Sequence, residues 1–123
     1  SVFPTEPEGN PLQDWLDSCA RLRDLVDPNV LILPAHNEPF RNARKRLQDL
    51  IDDHEAGLAR LVDMLGEPRR AVDVFPALFR ARITSGNYLM ATGESLAHLN
   101  CLIARGDAVR TRDALGIDIY QRA

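Results

Sequence analysis

A short apolar run, Val30–Leu33, is the feature that most limits what this chain can fold into. The run contains only β-branched and aliphatic residues, lies between Asp27-Pro28-Asn29 and Pro34, and predicts a β-strand buried on both faces. A strand of that kind needs neighbouring strands, and no other segment of residues 1–67 has a strand pattern. The run therefore predicts one strand of a sheet whose other strands lie outside this chain.

Two amphipathic helices are predicted on either side of this strand. Residues 12–26 place apolar side chains from Leu12 to Val26 on one helical face. Residues 42–65 carry a similar stripe, and Gly66 ends that helix. Helix 12–26 and strand 30–34 are therefore expected to form the last αβ unit of a larger domain, followed by a long connecting helix.

The rest of the chain has the pattern of a separate small domain. The predicted elements are a short helix at 72–79 with Asp73 as its N-cap, a helical turn or two within 83–90, a helix from Thr92 to a stop at Gly106, and a β-hairpin at 108–120. Helix, helix, helix and hairpin is the order of a winged helix-turn-helix. We predict a mainly α-helical chain in three regions: 1–41 as the αβ remnant, 42–66 as the connecting helix and 67–123 as the winged-helix domain with a small hairpin wing.

The charge distribution supports the boundary near Gly66. Residues 1–67 hold 13 acidic and 7 basic side chains, whereas residues 68–123 hold 5 acidic and 8 basic ones. The net charge of −3 argues against general nucleic-acid binding. No apolar run approaches the roughly 18 residues of a membrane span, and no signal peptide is visible, so we expect a cytoplasmic protein without membrane contact.

Histidines and cysteines are the candidates for metal or nucleophile chemistry. His36 follows the predicted strand, where α/β folds place ligands, and a neutral imidazole there is a good metal ligand. The alternative is a loop histidine that hydrogen-bonds to backbone. His54 and His98 lie on apolar helix faces and are predicted to be packing or hydrogen-bonding residues. Cys19 and Cys101 are predicted to be buried and reduced, which fits a reducing cytoplasm.

No catalytic residue and no cofactor-binding loop is predicted. The sequence has no Ser-His-Asp or Cys-His arrangement and no glycine-rich phosphate loop. The helix in the recognition position, 94–105, offers one acid, one arginine and Asn100 at its predicted surface, with Arg110 and Arg112 on the wing. Because helices that read DNA present several basic and amide side chains, we expect no specific DNA binding.

Three segments together resemble the metallo-β-lactamase-fold hydrolases. The segment Leu33-Pro34-Ala35-His36-Asn37-Glu38-Pro39-Phe40-Arg41 resembles the strand followed by Pro-Gly-His-Gly-x-Pro-Phe near the end of that fold. Residues 87–100, Asn-Tyr-Leu-Met-Ala-Thr-Gly-Glu-Ser-Leu-Ala-His-Leu-Asn, resemble the winged-helix appendage of one bacterial branch. Residues 11–18 resemble the helix before the last strand. The likeness covers nearly the whole chain in order.

The resemblance implies a metal-dependent hydrolase, usually with two zinc ions holding a hydroxide that attacks an ester, thioester, amide or phosphoester. The last metal-binding histidine of the family corresponds to His36, and its other ligands have no counterpart here. This chain would be the C-terminal part of such an enzyme, inactive alone. Two family glycines are replaced, by Ala35 and by Asn37; Asn tolerates a positive φ better than Ala.

The winged helix would cover the active-site mouth or pair subunits. Four arginines could meet an anionic substrate such as a CoA thioester or RNA: Arg69, Arg70, Arg80 and Arg82. The uncovered helix 12–26 and strand 30–34 predict a homo-oligomer. The alternative function is a stand-alone winged-helix module for protein interaction or nucleic-acid binding.

Overall fold

The computed structural model describes residues 2–123, which form two compact units. The large unit contains residues 2–13 and Ala56–Ala123, and the small unit is Asp14–Glu55. The elements are α1 (Pro11–Leu25), α2 (Ala43–Met64), a 3-10 helix (Ala71–Asp73), α3 (Phe75–Leu78), α4 (Tyr88–Arg105), β1 (Ala108–Arg112) and β2 (Asp118–Arg122). The chain is thus mainly helical, with one small two-stranded antiparallel sheet.

The two long helices of the first half are confirmed, each within a residue or two of its predicted ends. Both begin after an asparagine whose side-chain oxygen accepts a backbone N–H: Asn10 from Gln13 and Asn42 from Lys45, each at 3.3 Å. The predicted apolar face of α1 is buried at Leu16 in the small unit. Helical periodicity and capping residues are local signals, which is why the sequence locates these elements well.

Val30–Leu33 does not form a strand within residues 2–123, in agreement with the prediction that its neighbouring strands lie outside this chain. Within residues 2–123, Ile32 is the one residue of this run that pairs, in an isolated antiparallel bridge with Phe40. Val30 and Leu31 are each 47% exposed and Leu33 is 75% exposed. A strand is buried on both faces only inside a sheet, and within residues 2–123 no neighbouring strand lies beside this run.

Two predicted helix starts in the second half are wrong. Asp73 does not cap α3; it closes the 3-10 helix, where its carboxylate accepts the backbone N–H of Arg70 at 3.0 Å and pairs with the Arg70 guanidinium at 2.9 Å. The hydrogen bond from Arg70 holds the pKa of Asp73 below its usual range. Helix α4 begins at Tyr88, one turn before the predicted Thr92, because Asn87 ends the preceding turn.

The core of the large unit is built around α4. All six residues of Ala97–Leu102 are buried, including His98 and Asn100. Gly106 ends the helix as predicted, with a φ of 82° that favours glycine. The hairpin follows, and Tyr120 of β2 is 1% exposed and anchors it to the core. None of the helices formed by residues 2–123 is long and apolar enough to cross a lipid bilayer.

Candidate functional site

His36 lies on a loop of the small unit whose two ends are held together. The backbone N–H of Ile32 donates to the oxygen of Phe40 at 2.7 Å, and the N–H of Phe40 donates back at 3.1 Å. The residues between them, including His36, form the exposed loop. The His36 imidazole is therefore carried by a loop whose two ends are joined by backbone hydrogen bonds.

Asn37 gives this loop its sharp turn. Its φ is 71°, in the left-handed region that is costly for most residues and tolerable for Asn. Ala35 is not in that region. The replacement of one family glycine by Asn37 is thus accommodated, and the position of Ala35 needs no glycine.

A groove of about 930 Å³ lies beside the loop within the small unit. His36, Asn37 and Glu38 form part of its edge, and Arg41, Lys45 and Arg46 bring positive charge to it. Its apolar lining comes from α1, α2 and the segment between them: Leu22, Val26, Ile32, Phe40, Leu47 and Leu50. The groove combines an exposed imidazole, cations and apolar surface.

The basic start of α2 fixes the backbone next to this groove. Arg41 Nη1 donates to the backbone oxygen of Asn29 at 2.7 Å, and Arg44 Nε donates to that of Val26 at 3.0 Å. Lys45 pairs with Asp49 at 2.7 Å, one turn further along the helix. Arg41 and Arg44 therefore connect the start of α2 to the turn after α1.

The described residues do not form a metal site by themselves. No group of three or more His, Cys, Asp or Glu side chains within residues 2–123 is placed to hold a metal ion. Within the same residues the His36 ring makes no hydrogen bond, so the alternative of a loop histidine bound to backbone finds no support. A zinc ion held through His36 would need ligands from outside this chain.

The other two histidines have the structural roles that the sequence predicts. Nδ1 of His54 donates to the backbone oxygen of Leu50 at 2.8 Å, and Nδ1 of His98 donates to that of Glu94 at 2.7 Å. The His54 ring also packs against Trp15, with ring centroids 4.7 Å apart. Each imidazole is thus fixed by a hydrogen bond to a backbone oxygen of its own helix.

The cysteines are buried as predicted. Cys19 is 5% exposed and Cys101 is 0% exposed, and neither forms a disulfide. Burial raises the pKa of the Cys19 thiol, which disfavours the reactive thiolate. These residues are structural.

The four arginines proposed for an anionic substrate separate into two pairs. Arg69 lies 3.7 Å from Glu67, and Arg70 pairs with Asp73. Arg80 and Arg82 are exposed and form no ion pair within residues 2–123. Of the four, Arg80 and Arg82 are therefore the two whose charges are not offset by an ion pair within residues 2–123.

The sequence analysis placed Asn100 on the helix surface, and the structure shows it buried. It is 6% exposed, and its amide nitrogen donates to the backbone oxygens of Pro7 at 3.1 Å and of Gly9 at 2.9 Å. The helix surface that would meet DNA is thus covered by the segment before α1. Helical spacing alone could not reveal this, because the covering segment lies more than 90 residues away in sequence.

Comparison with known proteins identifies the family. The family model for the metallo-beta-lactamase-like C-terminal domain matches residues 58–123. A beta-lactamase domain protein from Burkholderia ambifaria has a TM-score of 0.91 and 38% identity, and the match covers 100% of this chain and 37% of that chain. A metallo-beta-lactamase family protein from Thermus thermophilus has a TM-score of 0.77 and 31% identity, over 93% of this chain and 34% of that one. Among curated proteins none matches.

This chain therefore spans little more than a third of the length of either solved relative. The predicted resemblance is confirmed over the whole chain, because the first solved relative superposes on all of it. The chain belongs to the metallo-β-lactamase family and corresponds to the C-terminal part of a protein with that fold.

Proposed function

We propose that this chain is the C-terminal part of a metal-dependent hydrolase, with two zinc ions in the complete enzyme and His36 as one of their ligands. The observation that carries the proposal is the position of His36 on an exposed loop, closed by two backbone hydrogen bonds, at the edge of the groove of the small unit. When bound, zinc in such a site activates water and polarises the scissile group. The chain's own part is to hold the His36 imidazole on a fixed loop; alone it is expected to be inactive.

The exposed apolar surface of the small unit supports a larger fold. Its large apolar side chains are 47% to 79% exposed: Leu22, Leu25, Val30, Leu31 and Leu33. Exposed clusters of this kind are rare on monomers and mark surfaces that another element covers. The solved relatives carry roughly twice as much additional chain as they share with this one, so we expect the rest of their fold to cover it.

The substrate is proposed to be a small ester, thioester or related compound. Arg80 and Arg82 support an anionic one, such as a CoA thioester, because their charges are exposed and unpaired within residues 2–123. The proposal of RNA as the substrate depends on the same two charges.

The two buried thiols support a cytoplasmic location for the whole protein.

The large unit is proposed to be a winged-helix domain that covers the active-site mouth or pairs subunits. Its 3-10 helix, α3, α4 and hairpin follow one another in an order that supports this assignment. The alternative is a stand-alone winged-helix interaction or nucleic-acid-binding module. The burial of Ala97–Leu102 disfavours DNA reading, since these residues occupy the middle of the helix that would enter the groove.

The test is to express the full reading frame that contains this chain and to replace His36 with Ala. We expect His36→Ala to lose bound zinc, measured by elemental mass spectrometry, and to lower ester or thioester hydrolysis by at least about 100-fold. His54→Gln is the matched control, because it changes a histidine of the same unit that the proposal leaves structural. Unchanged zinc content in His36→Ala, or equal loss in both variants, would contradict the proposal.

A further inference from the structure

Residues 74–93 contain no acidic side chain, and this is the longest such stretch in the sequence. Arg80 and Arg82 lie within it, are exposed, and form no ion pair within residues 2–123. The chain as a whole has a net charge of −3, so this stretch is a local exception to its acidic character. Two guanidinium groups with no carboxylate at ion-pair distance favour the binding of an anion.

The exposed loop 80–87, which carries these arginines, is fixed at both ends. The Phe75 ring lies 6.0 Å from the ring of Phe79, before the loop, and 5.7 Å from the ring of Tyr88, after it. The side-chain amide of Asn87 donates to the backbone oxygen of Arg82 at 3.1 Å. The backbone of Arg82 therefore lies beside the residue that precedes Tyr88.

An aromatic and apolar surface adjoins this loop at the start of α4. Tyr88 is 47% exposed, Leu89 is 83% exposed and Met90 is 59% exposed. The Tyr88 ring meets Phe75 edge to face, at an interplanar angle of 87°, and this contact restrains it. The segment thus combines a restrained, half-exposed aromatic ring and exposed apolar side chains with two unpaired arginines.

We propose that this surface (Arg80, Arg82, Tyr88, Leu89 and Met90) binds a phosphorylated nucleotide, the part that a CoA thioester and an RNA have in common. The inference rests on the proposed function and names the part of the substrate that the large unit recognises. Arginine presents a planar set of donors that matches phosphate oxygens. Nucleobases stack on exposed aromatic rings whatever their sequence.

A nucleotide fits this surface better than a ligand that has only charge or only apolar area. Free phosphate would contact the arginines and leave Leu89 and Met90 in water, whereas an acyl chain would leave both cations without a partner. A nucleotide brings a phosphate and a flat base in one molecule. Bases inside a DNA duplex are already stacked, so the surface agrees with the expectation of no specific DNA binding. Because two cations and one ring make a small contact, we expect binding that is weak and weakens further with salt.

The first test measures ligand binding to this chain at low ionic strength. Coenzyme A is titrated by calorimetry, and a short, fluorescently labelled single-stranded oligoribonucleotide is titrated by anisotropy. Pantetheine, which is coenzyme A without its nucleotide, is the matched control and should not bind. Binding of coenzyme A alone or of the oligoribonucleotide alone supports the proposal and identifies the source of the nucleotide. Absence of binding by both, or equal binding of pantetheine, would overturn it.

The second test compares variants whose circular dichroism is unchanged. Arg82→Gln should weaken binding several-fold, whereas Arg112→Gln, which removes the same charge from an arginine paired with Asp118 on the hairpin, should not. Tyr88→Leu should also weaken binding several-fold, and Tyr88→Phe should retain it because stacking needs the ring and not the hydroxyl. Equal effects of the two arginine variants, or equal loss in the two Tyr88 variants, would overturn the proposal.

Neither binding measurement requires zinc or hydrolysis. Unchanged zinc content in His36→Ala would contradict the proposed hydrolase and leave nucleotide binding measurable. Loss of zinc in that variant, together with no nucleotide binding by the unsubstituted chain, would instead leave the hydrolase standing without this surface as its substrate contact. The two proposals therefore fail separately.

Discussion

Asn37 determines the path of the loop that carries His36. Two residues of the small unit other than glycine have a positive φ, Asn37 at 71° and Asn42 at 62°, and they lie on either side of Phe40. Asn visits this region at less cost than other residues with a Cβ because its short polar side chain hydrogen-bonds locally. The direction of the His36 side chain therefore depends on a neighbouring backbone conformation and not on its own contacts.

Replacing Asn37 with a β-branched residue should strain the loop. We expect Asn37→Val to lower the free energy of unfolding by about 1–2 kcal/mol, because the left-handed region is closed to Val. Asn37→Gly should keep it near the original value. Urea denaturation followed by Trp15 fluorescence measures both, and Glu38→Val is the control at an exposed neighbour without a positive φ. Equal midpoints for Asn37→Val and Glu38→Val would contradict this role.

Helix α4 contacts the segment before α1 and the first turn of α1 within the large unit. Asn100 donates to both Pro7 and Gly9, and Arg105 Nη2 donates to the side chain of Gln13 at 2.9 Å. A Cβ on Gly93 would approach Phe3 to 2.8 Å, so the absence of a side chain there makes room for the segment. The opening residues, which the sequence marks only as an extended lead-in, are thus part of this unit.

Removing the Asn100 amide should release this segment. Asn100→Leu leaves the oxygens of Pro7 and Gly9 without their donor, and we expect the free energy of unfolding to fall by about 1–3 kcal/mol. Amide hydrogen exchange in residues 3–10 should become faster. Ala104→Gln, an exposed change on the same helix, should alter neither quantity. Unchanged exchange in Asn100→Leu would show that other contacts hold the segment.

The molecule as a whole carries an apolar surface that its own residues leave exposed. The two parts of that surface in the small unit are the end of α1, where Leu25 is 79% exposed, and the Val30–Leu33 run. Water-exposed apolar side chains on a short, unpaired segment favour association. The surface is consistent with membership of a family whose solved members are almost three times as long.

Introducing charged side chains on this surface should reduce its tendency to associate without unfolding the chain. We expect Leu31→Lys combined with Leu33→Lys to lower the binding of a hydrophobic dye and to raise solubility, since both side chains are already exposed. Leu16→Lys is the contrasting control: Leu16 is 4% exposed, so a lysine there should unfold the small unit. Unchanged dye binding in the double variant would show that the dye binds to a different apolar surface.

Only those features of the candidate site that depend on residues close together in sequence could be predicted. His36, the turn at Asn37 and the packing roles of His54 and His98 follow from nearby residues and from the family resemblance. The groove beside His36 could not be foreseen, because it is lined by residues of α1, α2 and the segment between them. The availability of Arg80 and Arg82, as opposed to Arg69 and Arg70, likewise depends on which acids lie nearby in three dimensions.

Local sequence signals were sufficient to locate the long helices, the stop at Gly106, the hairpin and the family, because periodicity, caps and turn residues act over a few positions. The exposure of Val30–Leu33 and the burial of Asn100 were instead decided by the tertiary structure. A strand exists only through hydrogen bonds to neighbouring strands, and this run has one bridge to Phe40. Asn100 is buried because a segment more than 90 residues away accepts its hydrogen bonds. Both outcomes depend on partners outside the local pattern, which helical or strand periodicity does not encode.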